Sequence, residues 1–232
     1  MIRILAIDTS TGWGSLALVE QAASAAQPAL VAELGLRVAD SHAVRLVQRV
    51  DMLLAEAGWN CAAMDGFVVT RGPGSFTGIR IGLGTARGLA LSTDRPCCGI
   101  STLEALAEAH GPAEWERVPL IGAGRGEIYA ARYDAVSSPP RELREAWLGP
   151  ASEATPSQAG PAVAIAAAPR EMLALGLAPN PQSVRLARAG PHLAGAAGRL
   201  ALLRDLARSA ESSSVAPLYV RLPDAELKFR RR

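Results

Sequence analysis

The stretch that decides the fold is RGPGSFTGIRIGLGTARGLAL, residues 71–91, which carries six glycines in 21 positions. It follows GFVVT (66–70), a run typical of a buried strand, and the apolar spacing after it predicts a helix. Two interpretations are open for this junction. Its free amides bind a phosphate or another anion at the helix N-terminus, or its bare surface lets another part of a protein approach closely.

The first glycines, Gly72, Gly74 and Gly78, form a GxGxxxG loop that fits the anion interpretation. A dinucleotide-binding fold, however, alternates strand and helix from its first unit and ends its second strand on an acidic residue. Neither feature is present. The loop is therefore not predicted to bind a dinucleotide.

The glycines continue into the helix, where each costs about 1 kcal/mol relative to alanine and none is needed by a phosphate loop. At 100° per residue, one side is expected to pack on the sheet: Gly78, Ile81, Gly82, Thr85, Gly88 and Leu89. The other side mixes small and apolar residues with arginines, as protein interfaces do: Arg80, Leu83, Gly84, Arg87 and Leu91. We predict that it docks a protein partner, with plain solvent exposure as the alternative.

Around this stretch the first half of the chain predicts the order βββαβαβα. Three strands (3–10, 15–21 and 29–38) precede a helix over 42–57, and a strand at Cys97–Ile100 leads to a helix from Thr102 to Gly111. This order matches a ribonuclease-H-like lobe over residues 1–110. The fold class is α/β, with a smaller second lobe over 111–232.

The second lobe is predicted in outline only. Two strands flank Gly124 and Gly126, one lies near Trp147, and AVAIAAA (162–168) is another. A helix is expected within 191–210, and VAPLYVR (215–221) is expected to be extended.

The composition favours a protein without broad nucleic-acid affinity, because 24 Lys+Arg against 22 Asp+Glu leave a net charge of only +2. The basic tail, Lys228 with Arg230, Arg231 and Arg232, is either a solvated end or a tRNA-touching arm. Cys61, Cys97 and Cys98 form no CxxC pair and predict buried thiols in a reducing compartment. With no signal segment and no membrane span, the protein is expected to be cytoplasmic.

The inventory of reactive side chains predicts neither a catalytic residue nor a metal site. His42, His110 and His192 are far apart in sequence, and there is no GxSxG elbow, no Walker A motif and a single lysine. Asp8 follows the first strand, and it either hydrogen-bonds the turn amides of Thr11 or Gly12 or is a residual ligand contact. Asp8, Thr9 and Ser75 are the residual candidates for cofactor binding.

The chain resembles the TsaB (YeaZ) family, the non-catalytic partner in bacterial synthesis of threonylcarbamoyladenosine in tRNA. The motifs that carry the resemblance are ILAIDTST (4–11), LLAEAGW (53–59), the 71–91 stretch, GISTLEALA (99–107) and PLYVR (217–221). The resemblance implies two ribonuclease-H-like lobes of the actin/Hsp70/sugar-kinase superfamily, the second one reduced. It also implies that helices of the first lobe contact either a second copy or the catalytic paralogue TsaD.

Comparison with that paralogue points away from metal binding here. The metal-binding His-x-x-x-His pair of TsaD falls where this chain has Thr102 and Leu106, and its second nucleotide loop is replaced by AIAAAPREM (164–172). The family hairpin also departs from its usual form, because Gly122 and Gly124 replace an Asp and an Arg. His42, Arg125, Glu127 and Tyr129 match the family pattern and are either structural or at the junction with a partner.

The resemblance thus implies a scaffold and activator without a cofactor of its own. Its expected partners are a TsaD-like enzyme and an ATPase subunit, with nucleotide and metal in those enzymes, tRNA bound through the complex, and a homodimer when alone. Two alternatives stay open. One is an enzyme in its own right, a small kinase or a glycoprotease-like peptidase, and the other is a direct tRNA-binding module.

Overall fold

The computed structural model describes residues 1–37, 42–154, 161–166, 184–205 and 215–220, which form two five-stranded mixed sheets with helices. The first sheet has the order β3-β2-β1-β4-β5. Its first three strands are antiparallel, and β4 and β5 run parallel to β1. These strands are β1 (Ile2–Asp8), β2 (Trp13–Gln21), β3 (Ala29–Arg37), β4 (Gly66–Thr70) and β5 (Cys97–Ile100).

Three helices are interleaved with these strands: α1 (His42–Glu56), α2 (Phe76–Thr93) and α3 (Thr102–His110). α1 ends before Gly58, whose φ of 67° suits glycine, and α3 ends at Gly111 with a φ of 80°. The predicted order βββαβαβα is therefore confirmed.

The second sheet has the order β10-β9-β6-β7-β8. Its strands are β6 (Glu116–Gly124), β7 (Glu127–Tyr133), β8 (Glu142–Pro150), β9 (Ala162–Ala166) and β10 (Val184–Arg188), and α4 (Ala194–Leu203) follows them. The sequence pattern does not predict β10. Residues 215–220 have no regular secondary structure, and the basic tail with Lys228 lies outside the described residues.

The two faces of the first sheet bury different sets of side chains because successive strand residues point to opposite sides. Leu5, Ile7 and Leu16 belong to the core beneath α1 and α2, whereas Ile4 and Ala6 lie in the core that α3 and α4 cover. α4 contacts β1 and β2, and α3 contacts β6 and α4. Helices thus pack across the predicted boundary at residue 110, and the division into 1–110 and 111–232 stays a prediction.

The N-terminus of α4 is held by the first sheet. Ser15 Oγ on β2 accepts hydrogen bonds from the amides of Leu193 (3.0 Å) and Ala194 (2.9 Å), and Glu33 Oε1 on β3 accepts one from Gly195 (2.9 Å). These amides have no partner within the helix, so acceptors from the neighbouring strands satisfy them. The contact ties α4, which follows the second sheet in sequence, to the first sheet.

A second buried contact joins α3 to the second sheet. Arg117 on β6 is fully buried, and its guanidinium donates to the carbonyls of Ala107, Gly111, Asp134 and Ser137 and to the Asp134 carboxylate. A buried cation is tolerated only when its donors are satisfied in this way. Arg117 therefore fixes the C-terminal end of α3.

We expect Ser15→Ala to lower the free energy of unfolding by about 1–2 kcal/mol, because it leaves two buried amides of α4 without an acceptor. Urea unfolding followed by circular dichroism measures the change. Ser92→Ala is the matched control, since the Ser92 hydroxyl is exposed and donates to the carbonyl of Leu89 within its own helix. A Ser15 variant as stable as the Ser92 variant would contradict the assigned role.

Candidate docking face and interlobe cleft

The glycine-rich loop lies directly against the end of β1. The Ser75 amide donates to the Ser10 carbonyl (2.7 Å), and Thr9 Oγ1 donates to the Gly78 carbonyl (2.7 Å). A Cβ built on Gly74 or Gly78 would overlap the carbonyl oxygen of Ser10 or Thr9, respectively. Glycine is therefore required here because another strand of the same chain fills the space.

Ser75, predicted as a residual cofactor-binding residue, caps α2. Its Oγ accepts a hydrogen bond from the Gly78 amide at 3.2 Å, which satisfies one of the amides available to an anion. Ser75 is exposed and lines a cleft between the two lobes. Of the three residual candidates, it alone lines this cleft.

Asp8 is fully buried at the end of β1. Its Oδ1 accepts hydrogen bonds from the Ser10 amide (3.0 Å), Ser10 Oγ (2.6 Å) and Thr70 Oγ1 (2.6 Å). Its Oδ2 has no hydrogen-bond partner among the described residues. The predicted turn contact exists but goes to the Ser10 amide, rather than to Thr11 or Gly12. Burial raises the pKa of Asp8, and the hydrogen bonds from Ser10 and Thr70 offset part of that rise.

The interlobe cleft has a volume of ≈ 320 Å³. Residues 10–13 with Gly74 and Ser75 line it on the first lobe, and residues 120–123 with Tyr129 line it on the second. The carboxylate of Asp8 and the side chain of Thr9 are buried behind it and are absent from its lining. The structure thus separates Ser75 from the two other residual candidates.

The outer face of α2, defined by Arg80, Gly84, Arg87, Gly88 and Leu91, points away from the sheet. Gly84 and Gly88 are exposed, and a Cβ on either would meet nothing within 4 Å. Leu91 is 73% exposed, and Arg87 is half-buried. Nothing within the described chain therefore explains two glycines on this face.

Two expectations about α2 are wrong. Leu83, predicted on the exposed side, is only 4% exposed, and Gly88, predicted on the sheet side, is exposed. The buried face is set by the apolar series Ile79, Leu83, Ala86 and Ala90, which repeats at helical spacing. Gly78 and Gly82 are buried as predicted, and Ile81, Thr85 and Leu89 are half-buried.

Two residues beside the outer face were not singled out from sequence. Phe76, in the first turn of α2, is 37% exposed, and its ring lies 5.5 Å from that of Tyr219, which is 39% exposed. A large apolar residue immediately after the capping Ser75 was the available signal. The Tyr219 contact joins positions 143 apart and has no local signal.

Comparison with known proteins places the chain among relatives. The family model described as TsaD: tRNA N6-adenosine threonylcarbamoyltransferase matches residues 36–228. The tRNA threonylcarbamoyladenosine biosynthesis protein TsaB of Escherichia coli (strain K12) is 34% identical over 159 residues, which is 66% of this chain and 62% of that protein. YeaZ from Pseudomonas aeruginosa superposes with a TM-score of 0.76 at 26% identity, covering 94% of this chain and 100% of that one. The chain belongs to the TsaB/YeaZ family.

Full-length similarity extends to an uncharacterized protein of Mycobacterium tuberculosis (strain ATCC 25618 / H37Rv), 32% identical over 228 residues, 96% of this chain and 93% of that protein. The matches to the curated TsaB proteins are shorter and span less than two thirds of their length. The predicted α/β fold with two lobes is confirmed by the two sheets and by the YeaZ superposition, and its assignment to the actin/Hsp70/sugar-kinase superfamily stays a prediction.

The family-specific positions are distributed between core and cleft. Thr102 and Leu106, the two positions expected from the resemblance to replace a histidine pair, are fully buried in α3. Gly124 has a φ of 76°. The arginine expected at this position from the resemblance would adopt that conformation only with strain. Arg125, Glu127 and Tyr129 all make contacts within the protein, and the side chain of His42 lies outside the described part.

The structure also bears on the cysteines, on metal ligands and on membrane-spanning helices. Cys97 and Cys98 are buried, and burial raises the pKa of their thiols to about 11 and about 12, whereas Cys61 is half-buried. Within the described ranges, no cluster of His, Cys, Asp and Glu side chains is arranged to hold a metal ion. In the same ranges, no helix is long and apolar enough to cross a membrane.

Alanine is expected to have opposite effects at the buried glycines of α2 (Gly78 and Gly82) and at its exposed glycines (Gly84 and Gly88). Gly78→Ala forces a Cβ into the Thr9 carbonyl and is expected to lower the unfolding free energy by about 2 kcal/mol or more. In Gly88→Ala the new Cβ points into open space. The higher helix propensity of alanine is therefore expected to raise the free energy of unfolding by about 1 kcal/mol. Urea titration of both variants measures the pair, and equal effects would contradict the assigned orientation of α2.

Proposed function

We propose that this chain is a non-catalytic scaffold and activator in the synthesis of threonylcarbamoyladenosine in tRNA. In this proposal it docks through the outer face of α2 to a TsaD-like paralogue and supports transfer of the threonylcarbamoyl group to the adenosine 3′ of the anticodon. The named TsaB relatives support the pathway, and the TsaD family model supports the kinship with the proposed partner. The proposed docking surface rests on one observation, the exposure of Gly84 and Gly88 on α2.

Two exposed glycines in the middle of an 18-residue helix lower its stability without serving any contact in the described chain. Their cost is understandable if another helix lies close to the backbone at these positions. Arg80, Arg87 and Leu91 surround them and supply the mixture of cations and apolar surface common at interfaces. α1 packs against α2 and exposes Val47 and Met52, which extend the apolar surface of the first lobe.

The remaining partners are part of the same proposal. An ATPase subunit of the pathway joins the complex, nucleotide and metal bind in the partner enzymes, and tRNA is reached through the assembly. When the chain is alone, a second copy occupies the outer face of α2 as a homodimer.

Gly84→Leu is expected to abolish association with the paralogue, because a branched side chain would hold the two helices apart. The monomer should keep its fold, since a side chain at Gly84 points into open space. Co-elution from a sizing column measures association, and circular dichroism checks the fold.

Gly190→Leu is the matched control, because Gly190 is also exposed with open space and precedes α4 on the opposite side of the first sheet. It should co-elute normally. Unchanged co-elution of the Gly84 variant would contradict the proposed docking face.

The alternative of a small kinase is favoured by one observation, the cleft between the lobes. We expect no saturable binding of ATP with Mg²⁺ to the isolated chain in the micromolar range. The Ser75 amide and the Gly78 amide are already bonded, and the carboxylate at the end of β1, that of Asp8, is buried. Calorimetry measures the binding, and tight saturable heat would revive the kinase interpretation.

A further inference from the structure

A short segment near the C-terminus, residues 215–220, is attached beside the start of α2. The Leu218 amide donates to the Arg71 carbonyl at 2.7 Å, just before the glycine-rich loop. Val215 is buried in the core beneath α1 and α2, and its side chain lies where a Cβ on Gly99 would need to be. A main-chain hydrogen bond and a core side chain therefore fix where the segment runs.

This segment presents Tyr219 to Phe76 and Arg80. The rings of Phe76 and Tyr219 are 5.5 Å apart and inclined by 32°. The Arg80 guanidinium lies 3.8 Å above the Phe76 ring, and Arg80 Nε donates to the Tyr219 hydroxyl at 3.3 Å. The three exposed side chains form one stacked group at the edge of the outer face.

The group restricts an arginine that an exposed helix would normally leave free to change rotamer. Stacking uses one face of the Arg80 guanidinium, and the Tyr219 hydroxyl uses its Nε. Neither contact uses an Nη group as a hydrogen-bond donor, so the two Nη groups can form an end-on pair of hydrogen bonds with a carboxylate. An arginine ordered before binding loses less conformational entropy when it meets its partner.

The charge of α2 indicates the kind of partner. Arg80 and Arg87 are its only charged residues, and both belong to the outer face. An α2-to-α2 contact between two copies of this chain would bring like charges together, whereas a carboxylate on a different protein would be attracted to Arg80. The positive face therefore fits an acidic side chain on a different protein better than it fits itself.

We propose that Tyr219 is a positioning residue of the docking surface, which together with Phe76 holds Arg80 for a carboxylate on the catalytic paralogue. This inference rests on the proposed function and adds to it a second part of the chain, far from α2 in sequence. The 215–220 segment thereby contributes to partner affinity through Arg80.

The test measures the dissociation constant of the full-length chain and its TsaD-like paralogue by calorimetry. Tyr219→Ala is expected to weaken binding about tenfold, the effect of losing a typical strong interface side chain. Tyr219→Phe keeps the ring and loses only the hydroxyl, so we expect a change of about threefold. The melting temperature of each free variant is recorded, and Tyr219→Phe keeps the experiment decisive if Tyr219→Ala fails to fold.

A double-variant cycle separates positioning from simple contact. In an Arg80→Ala background, Tyr219→Ala should change the dissociation constant less than about twofold, because there is no longer an arginine to hold. Arg144→Ala is the matched control, since the exposed Arg144 also stacks on an aromatic ring, that of the buried Trp147 at 3.9 Å, but on the second sheet. It should leave binding unchanged.

The outcomes separate this inference from the proposed function. If Gly84→Leu abolishes association while both Tyr219 variants bind normally, the positioning role is overturned and the docking face stands. If Gly84→Leu has no effect, the docking face itself is wrong. An equal loss from Tyr219→Ala with and without Arg80 overturns the role through Arg80. A loss confined to self-association overturns the choice of the paralogue as occupant.

Discussion

The contact between the glycine side of α2 and the end of β1 determines which residues of α2 are exposed on the surface of the first lobe. Gly78 and Gly82 lie one turn apart, and side chains there would overlap atoms of Thr9. Because the helix lies this close to the strand, its rotation about its own axis is fixed. Gly84, Gly88 and Leu91 must then face outward. One steric requirement thus decides both which residues are buried and which are available to a partner.

The same contact changes the meaning of the glycine-rich loop. In phosphate-binding proteins such loops keep their amides free for the ligand. In this protein the Ser10 carbonyl and Ser75 Oγ accept hydrogen bonds from two of the loop amides. Asp8 is likewise turned into the sheet, bonded to Thr70 and Ser10. The junction retains the outline of an anion site while its polar groups are used for internal structure.

Sequence patterns predicted the elements of the first lobe but not the rotation of α2. Glycines lie on both sides of this helix, so their positions alone do not distinguish a close internal contact from an exposed groove. The apolar series from Ile79 to Ala90 was the better signal, and it places Leu83 inside. β10 was missed because arginines occupy two of the five positions in VRLAR and obscure its alternation.

Contacts between side chains far apart in sequence could not be predicted from local sequence patterns. The contact between Tyr219 and Arg80 joins positions 139 apart, and that between Ser15 and Leu193 joins positions 178 apart. In both cases the residue types are ordinary and only the folded chain brings them together. Asp8 shows the same limit, because its partner Thr70 comes from the neighbouring strand.

The position of α4 has a consequence for how the protein is made. Ile4, Ala6, Ala17 and Val19 are synthesised early, yet α4, which covers them, follows the second sheet in sequence. While the ribosome is still adding the second lobe, one face of the first sheet is without its cover and its apolar side chains are open to aggregation or chaperone binding. Completion of the first lobe therefore waits until residues 194–203 have been synthesised, after all the strands of the second sheet.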